Sequence, residues 1–357
     1  ILENWQGINE PYAARDNIKN YFRGGVNQTH NLSFQQQVSE DMSMYSSLSY
    51  VDDDSNIPGA TLEKLNLSTR AVAKFGPNKS WTTDIKVQYI NTKAENRPLN
   101  GNNLNNVFGN IVGLPRTVDI NSLRDHTDEN GNMIWYLPNS NAINPYWAAE
   151  KNMRVGTRDR FLLNASLKNQ INDWLSVELK GGADLYTNNT ESKLYAGSRS
   201  NPNGTYSLGK NTFIEKNFSA LAVASKDNLF GKFGGTVSIG GNLMHQRRSG
   251  IHSSAGQLEV PDLFELNNGV NRPTVTQNFS EKKINSVYGM LQLNYDGYLF
   301  VDITGRNDWS SALSKSNRSF FYPSFSTSLV FTDMIRKNGG SLPKWVSFGK
   351  IRGSYAT

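Results

Sequence analysis

The chain has 357 residues, with 37 lysines and arginines against 31 aspartates and glutamates, and a formal net charge of +6. The basic residues are scattered, often one step from an acid and never in a run, which argues against a nucleic-acid partner. With no cysteine there is neither a disulfide framework nor thiolate chemistry, and no apolar run approaches the roughly 18 residues of a transmembrane helix. The opening Ile1-Leu-Glu-Asn-Trp5 has neither the charged start nor the apolar core of a signal peptide.

Residues 1–27 predict no regular element and read as an irregular lead-in. From residue 28 to 357 the sequence reads as strand after strand. Asn31 to Gln37 is the first. In Met42 to Val51, Met44, Leu48 and Tyr50 lie on one side, with Ser43, Tyr45, Ser47 and Ser49 on the other. Leu65, Leu67, Ala71 and Phe75 alternate with Asn66, Ser68, Arg70 and Lys74. Trp81, Ile85, Val87 and Tyr89 alternate with Thr82, Asp84, Lys86 and Gln88. After a long loop at 94–156, Phe161 to Ile171 and Leu175 to Tyr186 alternate around a turn at Asn172-Asp173. A loop at 187–210, strands at Thr212–Ser225 and Phe233–Leu243, and a loop at 248–279 follow.

The clearest pattern is the hairpin Ile284 to Trp309. Val287, Leu291, Leu293, Val301 and Ile303 fall on one face; Gln292, Asn294, Asp302, Arg306 and Asp308 fall on the other. Asp296-Gly297 is a preferred two-residue turn. Strands at Phe320–Phe331 and Ser347–Tyr355 close the chain, making about twelve in all.

Three features predict an all-β, antiparallel, up-and-down transmembrane barrel wall. The alternation persists for about ten residues per strand, enough to cross a bilayer at a tilt. Short and long connections alternate, so the long loops gather at one end, as in outer-membrane barrels; only the connection at 332–344 is long where a short one is due. Phe75, Trp81, Trp174, Tyr295, Tyr298 and Trp345 flank the short turns, where an interfacial aromatic girdle would sit. Leu291, Leu293, Val301, Ile303, Phe325 and Leu329 are then expected to face lipid, and Gln292, Asn294, Asp302 and Arg306 the lumen. A soluble all-β adhesin or glycan-binding module, and an outer-membrane enzyme using Asp302, Asp308 or Glu178 as rim carboxylates, are the alternatives.

No catalytic, cofactor-binding or metal-binding residue is predicted. His30, His126, His245 and His252 form no ligand spacing. Asp128-Glu-Asn-Gly-Asn132 lacks the glycine and closing glutamate of an EF-hand and reads as an Asn-Gly turn. The loop aromatics Trp135, Tyr136, Tyr146, Trp147, Tyr195, Tyr206 and Phe264 are candidates for cargo or partner contact, because such rings are enriched at interfaces.

Tyr298-Leu-Phe-Val-Asp-Ile-Thr-Gly-Arg-Asn-Asp-Trp-Ser-Ser311, then Phe321-Tyr-Pro-Ser-Phe-Ser-Thr-Ser-Leu-Val-Phe331, resembles a signature of SusC/RagA-type TonB-dependent transporters of Bacteroidota. Gly349-Lys-Ile-Arg-Gly-Ser-Tyr355 resembles the strand that follows in that family, with Gly349 where the family has leucine. His30 to Ser33 and Met44 to Tyr50 resemble its early barrel hairpin. The resemblance implies a barrel of about 22 strands, of which this chain is a middle part, with plug, TonB box and final strands outside it. Both terminal strands are therefore expected to have open edges. It further implies TonB-driven import of a large nutrient, a glycan or an oligopeptide, across the outer membrane. A SusD-like surface lipoprotein would be the partner, and the TonB complex would act through the plug.

Overall fold

The computed structural model describes residues 2–99, 101 and 103–357. Twelve strands form one antiparallel sheet in strictly sequential order. They are β1 Val26–Ser39, β2 Met42–Asp54, β3 Thr61–Phe75, β4 Trp81–Glu95, β5 Asn152–Asn172, β6 Leu175–Leu194, β7 Thr205–Phe230, β8 Phe233–Gln257, β9 Thr274–Tyr295, β10 Leu299–Ser310, β11 Ser319–Leu329 and β12 Ile351–Ala356. Within the described residues β1 pairs only with β2 and β12 only with β11, so the wall has two open edges. Among the described residues no helix is long and apolar enough to cross a membrane.

Residues directly opposite in a ladder share a face, so the register carries one pattern across the whole wall. Leu48 lies opposite Leu67, Leu67 opposite Tyr89, and Tyr89 opposite Phe161. Leu167 lies opposite Leu179, Ala222 opposite Ile239, Val237 opposite Leu291, and Leu291 opposite Ile303. With Phe218, opposite Leu243, these residues form an apolar belt that nothing among the described residues covers: Leu179 is 54% exposed, Phe218 60% and Ile239 62%. A soluble sheet packs such a face into a core; a continuous exposed one marks a surface meant for lipid or a partner.

The short-turn end is tightly built. Asp296 (φ 49°) and Gly297 (φ 69°) take the left-handed conformations of a type I′ turn. Phe75 stacks on Trp81 across its turn with ring centroids 6.2 Å apart, and Phe233 packs between Phe230 and Tyr295. The connection expected as a loop at 332–344 begins instead with a helix, Phe331–Lys337, that caps this end.

At the long-loop end the strands run past the limits set by alternation. The loop expected at 187–210 shrinks to 195–204, that at 248–279 to 258–273, and that at 94–156 to 96–151. Beyond the apolar belt both strand faces meet water, so alternation fades although the ladder hydrogen bonds continue. Ser249 to Ser254, for example, pairs on one side with Thr274–Phe279 and on the other with Ser207–Thr212.

Nearly all the deeply buried apolar residues lie at this end, not under the wall. The lead-in is not wholly irregular. It holds a two-residue ladder, Leu2–Glu3 with Asn9–Glu10, and the helix α1 Asn17–Tyr21. This segment and residues 103–151, with helices α2 Val107–Val112 and α3 Pro145–Lys151, share one small core of Tyr21, Ile111, Ile120, Leu123, Trp135 and Tyr146.

Candidate functional site

Two surfaces carry chemistry: the polar face of the wall and the lobe at its long-loop end. On the polar face many charges are satisfied by a group on the neighbouring strand or two residues along the same strand. Arg70 makes a two-pronged contact with Asp84, Nε to Oδ1 at 2.9 Å and Nη2 to Oδ2 at 2.6 Å. Arg160 does the same with Asp184 at 2.8 and 2.7 Å. Lys180 Nζ lies 2.9 Å from Glu178, and Glu215 accepts from Gln246 and Asn217, each at 2.9 Å. Planar guanidinium–carboxylate pairs of this kind are among the stronger polar contacts and fix geometry as well as charge. An open recess of about 550 Å³ lies among Tyr45, Arg70, Asp84, Lys86, Asn164 and Lys180.

The hairpin residues singled out by alternation fall on two sides. Gln292 lies opposite Asp302 and donates Nε2 to its Oδ1 at 3.1 Å, and Ser326 donates to Asp302 Oδ2 at 3.2 Å. Asn294 shares this face opposite Phe300. Arg306 donates to Asp308 at 2.7 Å and to Ser286 at 2.8 Å, its guanidinium 5.7 Å from the Tyr288 ring centre. On the reverse side Leu291, Ile303 and Phe325 form one row, Leu293 and Val301 another, and Leu329 meets Leu299.

The lobe corrects part of the aromatic expectation. Trp135, Tyr146, Trp147 and Tyr206 are buried, Trp147 at 1% exposure. They hold the lobe together and have little surface to offer a partner. Tyr146 packs on Tyr21 with centroids 5.0 Å apart, and burial raises both phenols, in Tyr21 with a further push from Tyr146. Tyr136, Tyr195 and Phe264 are half-exposed. Tyr195 meets Phe264 edge-on at 4.8 Å, and Asp262 accepts from Ala196 N at 2.8 Å, so the loops 195–204 and 258–273 form one body. Gly197 joins them to the lobe: Met133 N donates to its carbonyl at 2.9 Å, and a Cβ there would strike Trp147 and the Gly131 carbonyl.

Asp128 is spent on its own turn. Its Oδ1 accepts from Asn132 N at 2.7 Å and from Asn130 N at 2.9 Å, and these donors hold its carboxyl below the usual range. Among the described residues no group of three or more His, Asp or Glu is arranged to hold a metal. The alternation missed the long-loop end of β5, where Arg154 and Arg158 share the polar face with Arg160. The even spacing of these arginines was visible, but the apolar alternation of that strand starts only at Phe161.

No protein-family model matches the chain, and no curated protein does. Solved structures do. The RagAB peptide transporter superposes on 96% of this chain with a TM-score of 0.81 and 17% identity, and the match spans 38% of that chain. RagAB in its open-open state gives 0.78 at 17% identity, covering 96% and 37% of the two chains. The unliganded ferric citrate transporter FecA gives 0.53 at 10% identity, covering 87% and 40%. The fold is thus that of part of a large transporter barrel like RagAB, and the chain spans under two fifths of the RagAB chain it matches.

Proposed function

We propose that this chain forms the middle wall and outer lobe of a TonB-dependent outer-membrane importer of a large nutrient, a glycan or an oligopeptide, working with a SusD-like lipoprotein in a Bacteroidota-type envelope. The observation that carries the reading is the two-faced wall, an uncovered apolar belt backed by a cross-paired polar face. In a bilayer the belt, with Leu291, Leu293, Val301, Ile303, Phe325 and Leu329, meets lipid. The polar face, with Gln292, Asn294, Asp302 and Arg306, lines a lumen where charges stay solvated or paired; each would cost a few kcal/mol on the lipid side. The long-loop end is then the outer surface, and Tyr136, Tyr195 and Phe264 are its half-exposed apolar contacts for a cap or cargo. The role is transport, driven by a TonB complex acting on a plug outside this chain.

The test uses the full-length protein in its native membrane. We expect it to fractionate with the outer membrane, to shift in gel mobility on boiling as barrels do, and to bring down a lipoprotein in mild detergent. Deletion should stop uptake of labelled cargo, and dissipating the proton gradient should do the same. Recovery in the soluble fraction, or uptake indifferent to the gradient, would overturn the reading.

A further inference from the structure

Several arginines of the polar face are held by carboxylates, but one cluster of arginines is not. At the upper edge of that face, just under the lobe, an open recess of about 340 Å³ lies against Arg97, Arg154 and Arg158. Arg70, Arg160 and Arg306 are each held by an aspartate, but among the described residues Arg97, Arg154 and Arg158 are in no ion pair. Arg158 is propped in place: its Nε donates to Asn188 Oδ1 at 2.5 Å, and its guanidinium lies over the Tyr186 ring at 5.0 Å. Arg154 is anchored through its backbone, its N–H donating to Asn96 Oδ1 at 2.7 Å, and its side chain is half-buried. The one acid at the recess, Glu191, is engaged by the Tyr206 hydroxyl at 2.9 Å and Lys193 at 3.2 Å.

We propose that this recess is an anion subsite that takes a carboxylate of an acidic oligopeptide, an inference that rests on the importer reading and names its cargo class. Guanidinium groups present paired N–H donors that match a carboxylate's two oxygens. Half-buried and without a partner, Arg154 gains most from an incoming anion, because its charge is already partly stripped of water. Ser207 and Asn211 from β7 and Thr190 and Ser192 from β6 add neutral donors and acceptors suited to amide groups. No aromatic ring lines the recess, and Tyr186, beside it, is covered by Arg158. A sugar ring would find no stacking surface here, which favours a peptide over an acidic glycan.

The experiment uses the purified full-length transporter in detergent and three probes: an octapeptide with four glutamates, its all-glutamine counterpart, and trigalacturonate. We expect the glutamate peptide to bind at least about tenfold tighter than the glutamine peptide at low salt, with the preference shrinking as ionic strength rises. Arg154→Gln and Arg158→Gln should each cut the preference to about twofold or less, the glutamate peptide losing far more affinity than the glutamine peptide, and an unchanged gel-mobility shift on boiling reports that each variant is folded. Arg154→Lys should restore part of it. Equal binding of the two peptides by the unmodified protein, or a preference that survives both substitutions, overturns the subsite alone. Trigalacturonate competing as well as the glutamate peptide overturns the peptide assignment. Failure of every probe to bind overturns the importer reading and the subsite with it.

Discussion

Asn17 and Ile120, distant in sequence, are joined inside the lobe. Ile120 N donates to Asn17 Oδ1 at 3.0 Å, while Asn17 Nδ2 donates to the Val118 carbonyl at 2.9 Å. Asn17 is 6% exposed and Ile120 fully buried. One amide side chain therefore ties the lead-in to the loop that follows β4, and the Tyr21 hydroxyl adds a second tie, donating to the Pro145 carbonyl at 3.1 Å.

Replacing Asn17 with leucine keeps the volume but strands the Ile120 N–H and the Val118 carbonyl. A buried group left without a partner costs about 1–3 kcal/mol. The lobe should loosen while the wall stays intact. Limited proteolysis of the detergent-solubilised protein should show faster cleavage between residues 103 and 151, with the mobility shift on boiling unchanged. Cleavage at the original rate would mean that the lobe does not depend on this joint.

A second prediction concerns Gly349 and the helix at the short-turn end. Thr332 Oγ1 donates to the Gly349 carbonyl at 3.4 Å and accepts from its N–H at 3.2 Å, and a Cβ on Gly349 would run into the Phe331 ring. Gly349→Ala should displace the helix by overpacking, at about 1–3 kcal/mol. Adding Phe331→Ala should recover much of that loss, because the ring is the obstacle. Hydrogen exchange across 331–350 reads both variants, and a double variant no better protected than Gly349→Ala alone would show that the clash is not the cause.

The wall was legible because its chemistry is periodic. Leu291 against Gln292 announces two faces and Asp296-Gly297 announces the turn, but a two-residue turn would set Gln292 opposite Val301; the observed pairing with Asp302 takes in Tyr298 as a third connecting residue. The strand ends were not legible. Ser249-Gly-Ile-His-Ser-Ser254 has water on both faces, so nothing in its composition records that it is laddered on both sides. The aromatic residues of the lobe were legible as apolar mass, but not in their direction. Whether Trp147 faces in or out depends on partners such as His126 and Gly197, brought to it by tertiary folding. Asn17 is harder still, since a single asparagine in a mixed segment gives no hint of burial.

The two-sided reading of the wall makes a paired prediction at Leu291 and Gln292. Arginine at Leu291 would sit in the middle of the apolar belt, opposite Ile303 and Val237, and near a bilayer midplane should cost about 2–4 kcal/mol. Arginine at Gln292 would lie beside Asp302 on the polar face and gain a carboxylate. Barrel stability, read as the temperature of the gel-mobility shift, should fall clearly for Leu291→Arg and hardly at all for Gln292→Arg. The reverse order would turn the wall inside out.

Acid should loosen the short-turn end through Asp296. Lys232 Nζ lies 2.7 Å from its Oδ2 and Lys337 Nζ 3.0 Å from its Oδ1; Lys337 also donates to the Asp296 carbonyl. The first lysine tethers the β7–β8 turn to the β9–β10 turn, and the second tethers the end of the helix Phe331–Lys337. Both ammonium groups hold the Asp296 carboxyl below its ordinary value, Lys232 the more strongly. A carboxyl depressed in the folded state contributes stability that is present above its unfolded value, about 3.9, and is lost as the pH falls through the lower folded value. Hydrogen exchange in the helix should therefore be flat from neutral pH down to about pH 5 and accelerate below about pH 4, after correction for the intrinsic pH dependence of exchange. The group is partly exposed to water, so raising the salt concentration should blunt the effect. Asp296→Asn should remove the acid step and show the looser helix at every pH. An acid step that persists in Asp296→Asn would assign it to some other carboxylate.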